Sequence, residues 1–269
     1  MNNLSIYCLT SKKYNLFKYL PSNIIPLGLG ENQFPENFLN EKIGNTIIEH
    51  NKNLAEMTGI YWVYKNQMNK FKDKDFIGFC HYRRFWLNDL YQQNHKINAN
   101  LNSKLLIDNL KLKNSETILA QPTKLKNETI LDHFINNHGN KMIYEAINIL
   151  DDKNAKNFRN YLDSREFSCC NMFITKPKIF LEYCEFIFPY LFKILEYCND
   201  NKLCVDKNTK LPAYFIERFT SYWFHQNSKI NYLSYAQLNN FFISDTLNKF
   251  INPLKIPRTF MFYPTILDI

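Results

Sequence analysis

Apolar and polar residues follow two different rhythms along this chain, and the rhythms predict its elements. Leu4–Thr10 and Ile24–Leu27 are short β-prone runs, the first ended by polar Ser11 and Lys12 and the second by Gly28 and Gly30. Runs of that length bounded by turn residues read as strands. Residues 31–53 keep no rhythm, are rich in Asn and contain Pro35 and Gly44, which predicts a long irregular loop. Leu54, Met57, Tyr61, Tyr64, Met68 and Phe71 then recur at spacings of three and four, the pattern of one amphipathic helix. Strand rhythm returns at 76–80, 117–120, 167–175 and 230–235. Helices are predicted over 129–137, 141–161, a segment from Pro177 to about Tyr197, and 212–226. Strands alternating with helices predict an α/β fold with a mainly parallel sheet in a single domain.

Composition narrows the class. A chain of 269 residues can bury a full core, and 45% hydrophobic with 16% aromatic residues argues for a packed globule. The formal charge of +8 points to an anionic partner, whether nucleotide, nucleic acid or membrane surface. The bias toward Asn, Lys, Ile, Phe and Tyr is also what AT-rich coding produces, so charge alone decides nothing. Seven cysteines without a CxxC pair predict reduced thiols in a cytoplasmic protein, with neither a disulfide framework nor a zinc site. Cys169 and Cys170 are adjacent and poorly placed to pair with each other. No basic leader precedes the first strand, and the greasiest stretch, Phe186–Leu195, is interrupted by Pro189 and Lys193. The expectation is a soluble protein whose membrane contact, if any, is peripheral.

The sharpest chemical feature ends the run at 76–80, where His81, Arg83 and Arg84 follow within four residues. Ligands of open α/β sheets sit beyond the carboxyl ends of strands. Two guanidiniums there suit a phosphate or diphosphate, because each is a planar fork of donors that keeps its charge. A structural ion pair and a packed histidine would explain a lone arginine and a lone histidine; the cluster favours a site. Glu56 and Thr58 fall in the first turn of a helix, where a hydroxyl or phosphate can be held, or else they are ordinary surface. Asn171 sits within an apolar run and needs a partner, which backbone or ligand could equally supply. Glu217 and Arg218 are a neighbouring carboxylate and guanidinium on an aromatic helix, an ion couple or part of a site. Asp132, His133 and His138 lack zinc-ligand spacing. No GxGxxG, P-loop or GxSxG is present, which removes the commonest dinucleotide, NTPase and hydrolase readings. Asp73-Lys74-Asp75 matches a bare Asp-x-Asp but precedes its strand.

Taken together, Glu56-Met57-Thr58-Gly59-Ile60-Tyr61-Trp62-Val63-Tyr64-Lys65-Asn66 and Ile77-Gly78-Phe79-Cys80-His81-Tyr82-Arg83-Arg84-Phe85 resemble a bacterial family of GT-A-like glycosyltransferases. That family is found in capsule, exopolysaccharide and O-antigen gene clusters, was long catalogued as a domain of unknown function, and carries the patterns ELTxxYWxWKN and IGxCHYRR. The likeness runs from residue 4 to about 225. It departs at Ser11, where the family has histidine, and at Gly44-Asn45-Thr46-Ile47-Ile48, where the family has a segment close to Gly-Asp-Asn-Ile-Ser.

The resemblance implies a GT-A-like, Rossmann-like domain, with residues 1–125 as the nucleotide-sugar half and 126–269 as the acceptor side. It implies transfer from a nucleotide sugar, UDP-galactofuranose or another UDP-hexose, to a growing and lipid-linked capsular, lipopolysaccharide or exopolysaccharide glycan. On inverting GT-A chemistry, Glu217 is the expected base, with Asp132 second and Arg218 beside it on the acceptor side. His81, Arg83 and Arg84 would neutralise the leaving diphosphate in place of a metal. Thr10, Ser11, Lys12, Glu56, Thr58 and Asn171 would line the donor pocket. No metal ligand is assigned; Mn²⁺ or Mg²⁺ is compatible but lacks a clear Asp-x-Asp. Two other classes compete: an inactive sugar-binding or scaffold protein, and a nucleic-acid binder. The latter predicts basic residues interleaved with aromatics along one surface, whereas the basic cluster here ends an apolar strand, so no nucleic-acid partner is expected.

Overall fold

β1 (Leu4–Thr10) places Tyr7 and Leu9 in the core on one side of a sheet and Ile6 and Cys8 in the core on the other. That is the two-residue period of a strand buried on both faces. In the computed structural model, which describes residues 3–13, 17, 20–87, 112 and 115–237, ten further strands follow. They are β2 (Ile24–Gly28), β3 (Leu39–Asn40), β4 (Phe76–His81), β5 (Arg84–Trp86), β6 (Thr117–Ala120), β7 (Thr123–Lys124), β8 (Glu166–Phe167), β9 (Phe173–Thr175), β10 (Ile230–Leu233) and β11 (Tyr235–Gln237). The main sheet has the order β10-β6-β9-β4-β1-β2-β3, and β5 extends it by pairing with both β4 and β11. β1 runs parallel to β2 and β4, and β10 to β6, while β9 lies antiparallel between β4 and β6. The predicted mainly parallel α/β sheet is present, with β9 and β5 reversed.

Seven α-helices flank the sheet among the described residues: α1 (Asn51–Leu54), α2 (Met57–Asn66), α3 (Ile130–His138), α4 (Lys141–Asn148), α5 (Asp152–Leu162), α6 (Pro177–Asp200) and α7 (Leu211–Asn227). Three predicted elements are broken, two by a local polar contact and one by a left-handed turn. The helix expected from Leu54 to Phe71 is interrupted at Ala55, whose φ is 49°. There Asn51 Nδ2 donates to the Ala55 carbonyl at 3.1 Å and to Thr58 Oγ1 at 2.8 Å, so side-chain bonds replace the helical ladder. The helix expected over 141–161 divides because Asp151 accepts from the Asn154 amide at 3.0 Å and starts α5 as its N-cap. The strand expected over 167–175 is split by a turn at 168–172, where Cys170 and Asn171 have φ of 74° and 47°. Conversely, Pro189 does not end α6, which runs its 24 residues with Phe188 and Tyr190 buried on either side of the proline. No helix among the described residues is long and apolar enough to cross a membrane.

The larger core lies on the face of Tyr7, Leu9, Phe79 and Phe173, against α2, α6 and α7. α2 approaches that face closely: a Cβ on Gly59 would stand 2.9 Å from Leu9 Cδ2 and 2.7 Å from Leu29 Cδ2. Phe79, fully buried, has its ring centroid 5.0 Å from that of Phe173 and 5.4 Å from that of Phe180. Phe79→Ala is therefore expected to destabilise the chain by about 3–5 kcal/mol in urea unfolding, because the cavity cannot collapse between strand and helix. A cost below about 1 kcal/mol would mean the sheet face is not packed as described.

The two expected stretches, 1–125 and 126–269, contribute to one sheet. β9 and β10 from the second half pair with β4 and β6 from the first. Residues 238–269 lie outside the described residues.

Candidate active site

The register of β1 and β4 sets Leu9 opposite His81, so the carboxyl ends of both strands, with Gly28 of β2 opposite Thr10, open at one edge of the sheet. Beyond that edge the chain turns tightly through Tyr82 and Arg83, and His81 pairs with Arg84 across the turn. The cluster expected from the sequence thus stands at the switch edge where α/β sheets bind ligands. His81, Arg83 and Arg84 are each half-buried.

The turn at 168–172 completes the site from the opposite side. The Cys170 carbonyl receives a hydrogen bond from His81 Nε2, the Cys170 N–H donates to Glu217 Oε1, and Asn171 Nδ2 donates to Glu56 Oε1 at 2.8 Å. Three residues distant in sequence, His81, Glu56 and Glu217, therefore meet through one left-handed dipeptide. A carbonyl only accepts, so Nε2 carries the His81 proton. Burial, then the neighbouring Arg84 charge, pull the His81 pKa down to about 4, and the ring is neutral at pH 7. This corrects the expectation that His81 adds a positive charge; the charge there belongs to the arginines. Burial works against the Arg84 guanidinium as well, but the fields of Cys170, Cys169, Tyr235 and Glu217 outweigh it and hold Arg84 charged.

Two carboxylates face this turn in different states. Glu56 precedes α2, is half-buried, and has its pKa raised, chiefly by burial. Asn171, its own backbone N–H, Lys210 and Arg84 act in the opposite direction. Glu217 on α7 is committed on both oxygens, Oε1 to the Cys170 N–H and Oε2 to Arg218 Nη1 at 3.5 Å. Arg218, only 3% exposed, donates to the Tyr214 carbonyl at 2.6 Å and meets His133 Nδ1 at 2.9 Å. It lies over the rings of Phe134 and Phe167 at 5.2 and 4.9 Å. The acceptor-side role expected of Arg218 is thereby corrected: it is packed beneath Glu217, and its exposure leaves no face for a ligand.

Other expected site residues are placed differently. Asp132 is exposed and caps α3, accepting from the Thr129 N–H at 3.2 Å and the Thr129 hydroxyl at 2.8 Å, which lower its pKa. It stands there as a capping-box residue, bonded within its own helix start. Thr58 is fully buried, with its hydroxyl on the Ala55 carbonyl at 3.0 Å, so it braces the helix start and does not reach a donor. Thr10 is likewise buried and holds the turn after β1, its hydroxyl bonded to the Lys12 carbonyl and N–H. Ser11 and Lys12 are exposed beside it. Trp62 Nε1 donates to the Ile43 carbonyl at 2.6 Å, and the Asn66 amide exchanges bonds with the Asn45 backbone at 2.8 and 2.9 Å. These helix residues of the first motif therefore tie down the long loop.

Sequence reasoning missed Lys210, whose charge reaches Glu56, and Glu41, which is fully buried and accepts from the Gly30 N–H. Neither carries a periodic or motif signal; Glu41 is one acidic residue in an Asn-rich loop. A divalent ion on an Asp-x-Asp does not fit the residues present. Asp75 is buried at the amino end of β4, accepting from the Asn3 and Lys72 amides, away from the site. Among the described residues the donor group that could hold an ion is Cys169, Cys170 and Glu217. Thiols beside Arg84 do not suit Mg²⁺ or Mn²⁺, which take oxygen ligands.

Residues 5–229 match the model of a family described as a domain of unknown function (DUF4422). Among solved structures, the chain is similar to one described as the apo structure of the WbbM bifunctional glycosyltransferase, at 17% identity and a TM-score of 0.67. The alignment covers 89% of this chain and 46% of that one, so the chain spans less than half of that protein's length. The likeness supports the GT-A-like α/β fold. No curated protein matches the sequence.

Proposed function

The chain belongs to the family described as a domain of unknown function (DUF4422), and from that premise we propose that it is a glycosyltransferase, moving a sugar from a nucleotide-sugar donor to a glycan acceptor. One observation carries the reading: a charged, half-buried Arg84 at the carboxyl edge of the sheet, with the carboxylates of Glu56 and Glu217 close enough to feel it. The departing nucleoside diphosphate gains negative charge as its bond to the sugar breaks. Arg84, with Arg83 beside it and Lys12 at the rim, would neutralise that charge in a partly dry site, where a fixed cation is most effective.

The acceptor hydroxyl needs a base, and the geometry favours Glu56 over Glu217. Glu56 has one oxygen held by Asn171 and a raised pKa, whereas both Glu217 oxygens are committed to the Cys170 turn and Arg218. In this reading Glu56 takes the acceptor proton as the sugar carbon is attacked in line and inverted, and Glu217 positions the turn. Neutral His81 fixes the same turn through its Nε2–H. The donor would be a UDP-hexose, UDP-galactofuranose included. The acceptor would be a lipid-linked capsular or lipopolysaccharide glycan at the cytoplasmic face of a membrane, whose anionic surface suits a +8 chain.

A thermal-shift panel of nucleotide sugars and nucleoside diphosphates tests the reading and identifies the donor. The matching donor at a hundredfold excess over its Kd should stabilise the chain by about 2.7 kcal/mol, and equally in EDTA. Absence of any shift across the panel would sink the proposal. A shift that requires Mn²⁺ would restore a metal to the site.

A further inference from the structure

The turn that joins the site carries two adjacent thiols with no part in the transfer scheme. Cys169 Sγ lies 3.1 Å from Cys170 Sγ, so the two side chains face each other despite being neighbours in sequence. Cys169 is partly exposed, whereas Cys8, Cys80, Cys184 and Cys198 are buried. Around its sulfur stand the Tyr235 hydroxyl at 3.5 Å, the Thr123 hydroxyl donating at 3.6 Å, and the field of Arg84. Hydroxyl donors and a guanidinium favour a thiolate. In agreement, the hydrogen bond from the Cys170 thiol lowers the Cys169 pKa against burial and the nearby Glu217 charge, which raise it, and the same contact with burial raises that of Cys170. The pair therefore contains one ionisable nucleophile and one protonated partner in contact.

We propose that Cys169 and Cys170 form an oxidant-responsive dithiol, which closes to a disulfide on reaction with a peroxide and thereby resets the turn holding His81, Glu217 and Glu56. The Cys169 thiolate attacks one peroxide oxygen, the O–O bond breaks, and water leaves after taking a proton, giving a sulfenic acid. The Cys170 sulfur then attacks the Cys169 sulfur and the hydroxyl departs with the Cys170 proton as a second water. Each sulfur is oxidised by one electron and the peroxide is reduced by two. Adjacent Cα atoms lie about 3.8 Å apart across a trans peptide, closer than an ordinary disulfide allows. The closed form is accordingly strained and easily reduced, as reversible disulfides are. Because the Cys170 N–H and carbonyl are the contacts to Glu217 and His81, closing the ring disturbs both. The proposal stands on this geometry and not on the transfer reading.

The test uses the full chain, purified reduced, exposed to hydrogen peroxide, blocked with iodoacetamide and mapped by peptide mass. The expected product is a 169–170 peptide lacking two hydrogens, refractory to alkylation and returned to the dithiol by dithiothreitol. Mapping distinguishes it from a product of Cys198 and Cys204, which neighbour each other. In Cys170→Ser, Cys169 should stop at the sulfenic acid and be trapped by dimedone. Amide hydrogen exchange at Cys170 should be faster in the oxidised chain than in the reduced one, a readout independent of any sugar. Two alkylatable thiols after peroxide, conversion of Cys169 directly to sulfinic acid, or cross-linked dimers through Cys169 would each overturn the proposal. So would stoichiometric Zn²⁺ in the purified chain that is lost in Cys169→Ser, which would make these thiols metal ligands.

Discussion

Arg84→Ala is expected to slow sugar transfer by about 10²–10³-fold, the loss found when one fixed transition-state charge is removed. Arg84 is the cation that the fold does most to hold in place. β5 fixes its backbone opposite His81, and its neighbours keep it charged in spite of burial. Arg84→Lys keeps the charge but loses the planar fork, so it should recover only part of the rate. Initial rates of nucleoside diphosphate release would measure both variants, with circular dichroism to show that they are folded. A folded Arg84→Ala chain with near-normal turnover would end the diphosphate role.

Glu56→Gln should lose about 10²–10⁴-fold in turnover, the range contributed by a positioned base, and yet remain at least as stable as the parent. The amide oxygen can still accept from Asn171, so the neighbouring contact survives. The linkage sign follows from the raised pKa. Between its unfolded and folded pKa values Glu56 holds more proton in the native state than in the unfolded one, so stability falls as pH rises through that window. The stabilising share is complete below the unfolded pKa and lost above the folded one. Glutamine removes that pH-dependent loss. On the proposed reading, turnover of the parent chain should fall on the acid side as Glu56 protonates, and this limb should vanish with the residual activity of the variant. If Glu217→Gln abolishes transfer while Glu56→Gln does not, the base is Glu217. Glu217→Gln is otherwise expected to act by loosening the Cys170 turn, with a loss of stability that Glu56→Gln lacks.

Much of the sheet was legible because its strands are buried on both faces and bounded by turn residues, as with β1 and β4. The place of the arginine cluster was legible for the same reason, since it follows directly on an apolar strand. What could not be read were the breaks made by side chains bonding to the backbone. Asn51 ends one helix early and Asp151 starts another, yet apolar periodicity passes through both points unaltered. Asn171 was singled out, but as a residue inside a strand. Only the left-handed pair at 170–171 brings it to Glu56. Thr58, Trp62 and Asn66 lie in a motif and still serve structure, since a motif marks required residues without separating those that hold a loop from those that touch a ligand.

The antiparallel insertion of β9 between β4 and β6 has a consequence for folding during synthesis. β1, β2 and β4 can associate early, and β5 pairs only the His81 end of β4; among the described residues the strand that pairs with Ile77 and Gly78 is β9, complete only when residue 175 has been made. Until then the β9 partner of the apolar positions Ile77 and Gly78 is missing, and such an edge is the kind of template on which strands from other chains add. Truncations ending near residue 125 should accordingly aggregate instead of yielding a folded donor half. Slow translation through the 88–175 stretch should be more harmful to yield than slow translation elsewhere.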